Sequence, residues 1–361
     1  MKAVINREVL LSVLAKVVGV ANKKMSLPIL ECVLVNIENN YLSIRATNLE
    51  IEITAGAYFD GYAENGSCAI NAKKFFDICK NIQSTNGIAI ELKENKAVIK
   101  NGKSKFVLNT LDAKDYPALK NIENANKLNV NSNELKALIN ASKFAIATND
   151  VRYYLCGLYC EFNTNKIITV ATDGHRLAKV SLTKEIGEVN ANCIIPKNSI
   201  DKIVRLLPDN TEIAVTVNDN LISFSCAEIT LISKLIDGKF PEYQKVIPAD
   251  LKYKITLPRV NLLLLLNRAN TITEGIFKGV NLIFTNNALT VTTKDNENSF
   301  EEELELSSGI DNFSISFNIS YLLDVINTLN SETIDIFFNT ADSPLLIREN
   351  DNCYVVMPMR I

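Results

Sequence analysis

The sequence predicts an α+β protein made of three tandem pseudo-repeat domains, each with two helices and antiparallel sheets. Three observations carry that prediction: helix-like apolar periodicity, strands of alternating polarity, and the return of both at a constant spacing. Helical periodicity starts near Val9, Leu135 and Val260, which are 126 and 125 residues apart. A strand running into a polar turn recurs as YLSIRATN, IITVATDG and LTVTTKDN, with Thr47, Thr172 and Thr293 spaced by 125 and 121. Closing strands start at Ile88, Ile213 and Ile334, again 125 and 121 apart. The unit of about 120 residues is the size of a whole domain, far longer than a solenoid repeat.

Taken in order, each copy reads as strand, helix, alternating strands, second helix and closing strands. The first helices are expected over 7–20, 133–147 and 259–274, the second over 73–83, 197–207 and 319–330. In KNSIDKIVRLL, Ile200, Ile203, Val204 and Leu207 form one apolar stripe, with Lys202 and Arg205 pointing away. In KKFFDICKNIQ, Phe75, Phe76, Cys79 and Ile82 repeat the stripe opposite Lys73 and Lys80. EIEITAGA and NNALTVTTK alternate with period two, as antiparallel sheets with one covered face do. Polar, Pro-containing segments around Pro117 and Pro241 set the boundaries, giving domains at 1–125, 126–249 and 250–361.

Composition limits the chemistry. With 361 residues, 47% hydrophobic and 22% charged, the chain has enough apolar residue to bury cores, which excludes a disordered protein. No stretch nears the ~18–20 apolar residues of a membrane helix, Leu262–Leu266 being the longest candidate. Arg7 and Glu8 stand where a signal peptide would be apolar, so a cytosolic chain starting at Met1 is expected. The eight cysteines are scattered without a CxxC pair and read as reduced core thiols; Cys156 and Cys160 make a poor metal pair in a chain whose one histidine is His175. No metal or cofactor is expected.

The net charge of −3 hides a segregation. The six predicted helices carry twelve Lys and Arg against six Asp and Glu, leaving −9 on the rest. A second asymmetry lies on strands: NGKSKFVLNT places Lys103 and Lys105 opposite Phe106 and Leu108, whereas NSFEEELEL carries Glu301, Glu302, Glu303 and Glu305. Such edges are complementary for head-to-tail pairing of two chains, which closes a ring, although charges also protect solvated edges.

Two strings imitate catalytic motifs. Gly102-Lys103-Ser104 lacks the P-loop glycine five positions upstream, where Ala97 stands, and continues as a strand. Asp173, His175 and Arg176 cluster without a GxSxG elbow, leaving a hydrolase as the lesser alternative beside a turn that borders a binding pocket. The terminal YVVMPMRI is apolar to its end and suits a core strand, an adaptable peptide groove, or both. A peptide-binding scaffold that never meets DNA is the other alternative.

LPIL (27–30), KFFDIC (74–79), DVRYYL (150–155), TVATDGHRLA (169–178), SKL (233–235) with DGKFPEY (237–243), and VVMPMR (355–360) together resemble the bacterial DNA polymerase III beta subunit, the sliding-clamp family. The resemblance spans the chain. It implies the DNA clamp fold, a head-to-tail homodimer ring around duplex DNA, no catalysis, and a bacterial, nucleoid-associated location. Twelve helices spaced ~9 Å apart would leave a hole of about 24 Å, enough for a duplex. DNA-facing positions implied by the family are Lys24, Asn149, Tyr153 and Tyr154; Arg152 and the helix residues Lys73, Lys80, Lys197, Lys202 and Arg205 complete the set. The family's pocket for short motifs of the polymerase III catalytic subunit, the clamp loader and other partners maps to Leu155, Thr172, Gly174, His175, Arg176, Leu177, Pro241, Val246, Pro344, Val355, Val356, Met357, Pro358, Met359, Arg360 and Ile361. Lys245 and Pro344 stand where some members carry Arg and Ser. The dimer edge maps to Lys103, Lys105, Phe106 and Leu108 on one side and Thr271, Ile272, Glu301 and Glu303 on the other.

Overall fold

The structure is a computed structural model, and it describes all residues except 22–26, 84–86, 120–121, 250, 274–277, 286, 295–296, 307–311 and 361. Lys24 and Ile361 lie outside the described residues. The first copy contains β1 (Lys2–Ile5), α1 (Arg7–Val17), β2 (Cys32–Glu38), β3 (Tyr41–Thr47), β4 (Ile51–Tyr58), β5 (Ala63–Glu64), β6 (Gly66–Asn71), α2 (Ala72–Asn81), β7 (Ile88–Lys93), β8 (Lys96–Asn101) and β9 (Ser104–Leu111). The second contains β10 (Asn126–Asn131), α3 (Ser132–Ser142), β11 (Gly157–Asn163), β12 (Lys166–Thr172), β13 (Arg176–Thr183), β14 (Asn190–Pro196), α4 (Lys197–Leu206), β15 (Glu212–Val217), β16 (Leu221–Cys226) and β17 (Ile229–Lys234). The third contains β18 (Tyr253–Pro258), α5 (Arg259–Asn270), β19 (Gly279–Phe284), β20 (Ala288–Lys294), β21 (Ser299–Glu305), β22 (Phe313–Asn318), α6 (Ile319–Thr328), β23 (Thr333–Phe338), β24 (Leu345–Glu349) and β25 (Asn352–Val356).

The helices start close to the predicted positions because polar caps sit there. Asn6, Asn71 and Asn318 each accept a backbone N–H of the first turn through their side chains. The first helices end sooner than expected, at Val17, Ser142 and Asn270. Hydroxyls explain two of these ends: Ser142 Oγ donates to the Leu138 carbonyl at 2.8 Å, and Thr271 Oγ1 to that of Arg268 at 2.7 Å. The Arg268 carbonyl is the one that the next helical N–H, that of Ile272, would use, and Ser142 Oγ also reaches the Ile139 carbonyl, which the Lys143 N–H would use, at 3.4 Å. The shortened helices still hold eleven Lys and Arg against five Asp and Glu. None of the described helices is long and apolar enough to cross a membrane.

The described chain divides into two compact units, Met1–Asn133 with Asp201–Leu235, and Glu134–Ile200 with Ile236–Ile361. One unit holds a 13-stranded sheet in the order β10-β15-β16-β17-β4-β3-β2-β6-β9-β8-β7-β1-β5. The other holds an eight-stranded sheet, β14-β11-β12-β13-β25-β24-β23-β18, and a four-stranded one, β21-β20-β19-β22. Sheets therefore run through copy boundaries. The last strand of copy two, β17, pairs with β4 of copy one, and the last strand of copy three, β25, pairs with β13 of copy two. Burial follows the alternation: Leu231 and Ile53 meet in the first seam and Tyr354 and Ala178 in the second, all at most 1% exposed. Burying aliphatic side chains such as Leu231 and Ile53 contributes roughly 1.5–3 kcal/mol each.

Register corrects one landmark. Thr47 and Thr172 stand opposite Glu52 and Leu177, six residues after their hairpins open at Tyr41 and Lys166. Six residues after Ala288 comes Lys294, opposite Ser299. Lys294, not Thr293, is thus the third-copy counterpart. Val291, Thr292 and Thr293 are all good strand formers, so identity alone selects the wrong one.

Candidate functional site

The turn after β12 is built by its own polar side chains. Thr172 Oγ1 donates to the Arg176 carbonyl at 2.7 Å and accepts the Gly174 N–H at 3.1 Å, while Asp173 Oδ1 accepts the N–H groups of His175 and Arg176. Gly174 has φ +90°, a left-handed conformation that disfavours any side chain. Arg176 anchors the turn from below. Its guanidinium pairs with Asp173 and Asp324, donates to the Phe144 carbonyl at 2.9 Å, and lies 4.5 Å from the Tyr321 ring centre. The His175 imidazole stacks on Tyr321 at 6.2 Å. Asp173 serves backbone N–H groups and Arg176, so the cluster assembles a braced turn rather than an acid–imidazole relay. Tyr321, Asp324 and Phe144 belong to this site and escaped the sequence reading, because each sits far from the turn in the chain and looks like an ordinary helix or loop residue.

Beneath the turn lies an apolar cluster that includes Leu155, Leu177, Phe240, Tyr243, Leu346 and Val355. Burial pushes the Tyr243 hydroxyl above its ordinary range, reinforced by the Glu161 carboxylate that accepts its hydrogen bond at 3.1 Å. Pro241 and Val246 are exposed at the rim and Pro344 is half-buried. Lys245, also exposed, pairs with Glu242. The predicted tail separates into three parts. Val355 and Val356 are buried in β25, Val355 in the same apolar cluster as Leu155 and Leu177. Met357 is exposed and donates its N–H to the His175 carbonyl at 2.8 Å, which places it beside the turn. Past Pro358, Met359 donates its N–H to the Ser316 carbonyl on the edge of β22. Met359 and Arg360 then line a different cavity of about 500 Å³ with Asn281, Thr292 and Lys294 over β19 and β20.

The DVRYYL loop occupies the same unit. Asn149 takes φ +57°, Val151 is 96% exposed at the tip and Tyr153 59% exposed, with Tyr153 and Tyr154 edge to face at 5.9 Å. Lys197, at the start of α4, donates to Thr148 Oγ1 at 2.7 Å and so joins this loop. Arg152 is committed elsewhere. Its Nε and Nη2 grip the Asp150 carboxylate at 3.0 and 2.8 Å, and Nη2 also reaches the Asp173 carbonyl at 3.3 Å. That pairing holds the Asp150 carboxyl at about 2, well below its ordinary value.

In the other unit Lys73 and Lys80 are exposed on α2, as predicted, and Arg205 is exposed on α4. Lys202 does not point away. It is half-buried with its ammonium on the Gly19 carbonyl at 3.0 Å, and desolvation lowers its pKa.

Among the described strands, two with an open edge carry the residues expected to pair two chains. Lys105 through Asn109 of β9 pair with β8 alone, and β6 meets β9 only at Thr110 and Leu111. Lys105, Phe106 and Val107 are exposed, Leu108 is half-buried, and Lys103 sits in the preceding turn. Beside Phe106 a cavity of about 470 Å³ is lined by Ile78 and Ile82, two apolar residues that the helical stripe alone did not assign to an edge. β21 is the other open edge, with Glu301, Glu303 and Glu305 exposed. Glu302 faces the opposite side and is taken by Arg268 of α5 at 2.7 Å. Thr271 is exposed and Ile272 half-buried just past α5.

Family models for the DNA polymerase III beta subunit match the chain throughout: the N-terminal domain at 1–120, the central domain at 129–242 and the C-terminal domain at 244–360. The beta sliding clamp of Pseudomonas aeruginosa is 35% identical over 363 residues, covering 99% of both chains, and that of Haemophilus influenzae is 33% identical over 362 residues, also covering 99% of both. A solved P. aeruginosa clamp bound to griselimycin superposes with a TM-score of 0.95 at 34% identity, covering 100% of both chains.

Proposed function

The chain belongs to the DNA polymerase III beta subunit family, the sliding clamps that serve as processivity factors for DNA polymerase, and from that premise we propose that two copies close head to tail around duplex DNA. The observation that carries the proposal is a pair of internal seams with one register. In both seams the second residue of a closing strand, Thr230 or Cys353, faces the residue two past the turn-flanking position, Thr54 or Lys179. The closing strand of copy one is β9, and the corresponding strand of copy three is β21; both edges are open. Carrying the register over puts Lys105 opposite Glu301 and Lys103 opposite Glu303, two charge-complementary pairs, once the partner strand comes from a second copy. Phe106, Leu108 and the Ile78–Ile82 hollow would then supply apolar contact to Thr271 and Ile272 of the other molecule.

The DNA-facing set in this reading comprises Lys24, Lys73, Lys80, Asn149, Tyr153, Tyr154, Lys197 and Arg205. Long-range attraction by exposed cations suits a sequence-blind, mobile grip on phosphates. The Thr172–Arg176 turn, Leu155, Leu177, Pro241, Val246, Pro344 and Met357 form the docking site for short motifs of the polymerase III catalytic subunit, the clamp loader and other partners. Griselimycin, named with the P. aeruginosa clamp, is the probe for it here. We divide the three copies at residues 125 and 249, assign no catalytic step to any of them, and place the protein at the nucleoid in the bacterial cytoplasm. The protein should sediment as a dimer and stay on nicked circular DNA until the circle is linearised. Equal loss from circular and linear DNA would contradict encirclement.

A further inference from the structure

We propose that Arg152 is a positioning residue that ties the DNA-facing tyrosine loop to the Thr172–Arg176 turn, so that DNA binding and motif binding are energetically coupled. This rests on the clamp reading of those two sites. Three contacts made by one guanidinium carry it. The first is the two-pronged pairing to Asp150, whose Oδ1 also accepts the Arg152 backbone N–H at 2.8 Å and so closes the loop on itself. The second is the bond from Nη2 to the Asp173 carbonyl, inside the turn. The third is the approach to Gly174, where an added Cβ would lie 3.1 Å from Arg152 Nη2. Loop and turn therefore cannot shift independently without breaking a charge-assisted contact.

The backbone continues the connection. Leu155 donates its N–H to the Arg152 carbonyl at 2.8 Å, and its own carbonyl accepts the Ala147 N–H at 3.0 Å. Leu155 is part of the apolar cluster beneath the turn, against which Tyr154 also packs. On the far side Tyr153 and Tyr154 lie 3.5 and 3.6 Å from where a Cβ on Gly238 would stand, next to the segment bearing Pro241. A duplex that moves the tyrosines thus pulls on the turn, and a ligand seated on the turn restrains the tyrosines. Coupling of this kind is reciprocal.

A phosphate-binding arginine predicts different behaviour. Lysine would replace it as a point charge, and freeing it from Asp150 would strengthen DNA binding. The test measures the affinity of a fluorescein-labelled duplex for the full-length protein with and without saturating griselimycin, over a salt series. In the native protein griselimycin should change duplex affinity by at least threefold. In Arg152→Gln, Arg152→Lys and Asp150→Asn that factor should fall to one, with the slope of log affinity against log salt unchanged. Equal coupling in native and variant proteins, no coupling in the native protein, or a slope reduced by about one in Arg152→Gln but restored in Arg152→Lys would each overturn the proposal. Failure of griselimycin to bind the native protein would defeat the underlying site assignment and this proposal with it.

Discussion

The seam between β13 and β25 and the open edge of β9 perform one geometric task with different chemistry. In the closed seam Leu177 faces Val355 and Ala178 faces Tyr354, all buried, so the pairing is held by area withdrawn from water. The open edge instead exposes Lys105, Phe106 and Val107, and its proposed counterpart exposes Glu301 and Glu303. An apolar seam cannot be left unpaired without aggregation, whereas a charged edge stays soluble when open and selects one partner strand when it closes. The proposed ring has the second kind at its joint and the first kind elsewhere.

Breaking the closed side should have the largest effect. Tyr354→Ala removes one of the largest fully buried side chains and should lower unfolding stability by about 3–5 kcal/mol in guanidinium titrations. A loss below about 1 kcal/mol would mean that β25 contributes little to the core. Arg176→Ala should cost about 2–3 kcal/mol, because Asp173 Oδ2, Asp324 and the Phe144 carbonyl each lose their guanidinium donor, and should weaken griselimycin at least tenfold by calorimetry. On the open side Lys105→Glu should leave thermal unfolding of the single chain within about 0.5 kcal/mol of native while weakening dimerisation tenfold to a hundredfold, since two joints per ring are affected.

The smallest effect contrasts carboxylates. Glu52 lies inside the first closed seam opposite Ile232, accepts the Leu119 N–H at 3.0 Å, and has its pKa raised, chiefly by desolvation. A carboxyl raised in the folded state favours folding most when protonated, so its contribution is present below the unfolded-state pKa and declines as pH rises through the folded value. Stability of the native protein should therefore fall relative to Glu52→Gln as pH rises from about 4 toward neutrality. Parallel pH profiles would remove Glu52 from the seam's energetics.

Much of this was legible in the sequence, for reasons visible in particular residues. Stripes such as Ile200, Ile203 and Leu207 specify a face, and Asn6, Asn71 and Asn318 mark where helices begin. Periodicity says which side of a strand is covered but not which strand lies beside it, so the crossing of β17 to β4 and of β25 to β13 was hidden. It also counts charges without their partners. Arg152 and Lys202 read as free cations, yet one is bound to Asp150 and the other to the Gly19 carbonyl. Tyr321 and Asp324 join the turn only because the chain folds back on it from about 150 residues away.

The central claim is that the third seam forms between two molecules with Lys105 facing Glu301. Lys105→Glu and Glu301→Lys proteins should each dimerise poorly when alone. In an equimolar mixture, a head-to-tail pair has one joint with both charges exchanged and one joint native. Sedimentation velocity of that mixture should show dimers near the native affinity. A mixture that dimerises no better than either variant alone would contradict the seam.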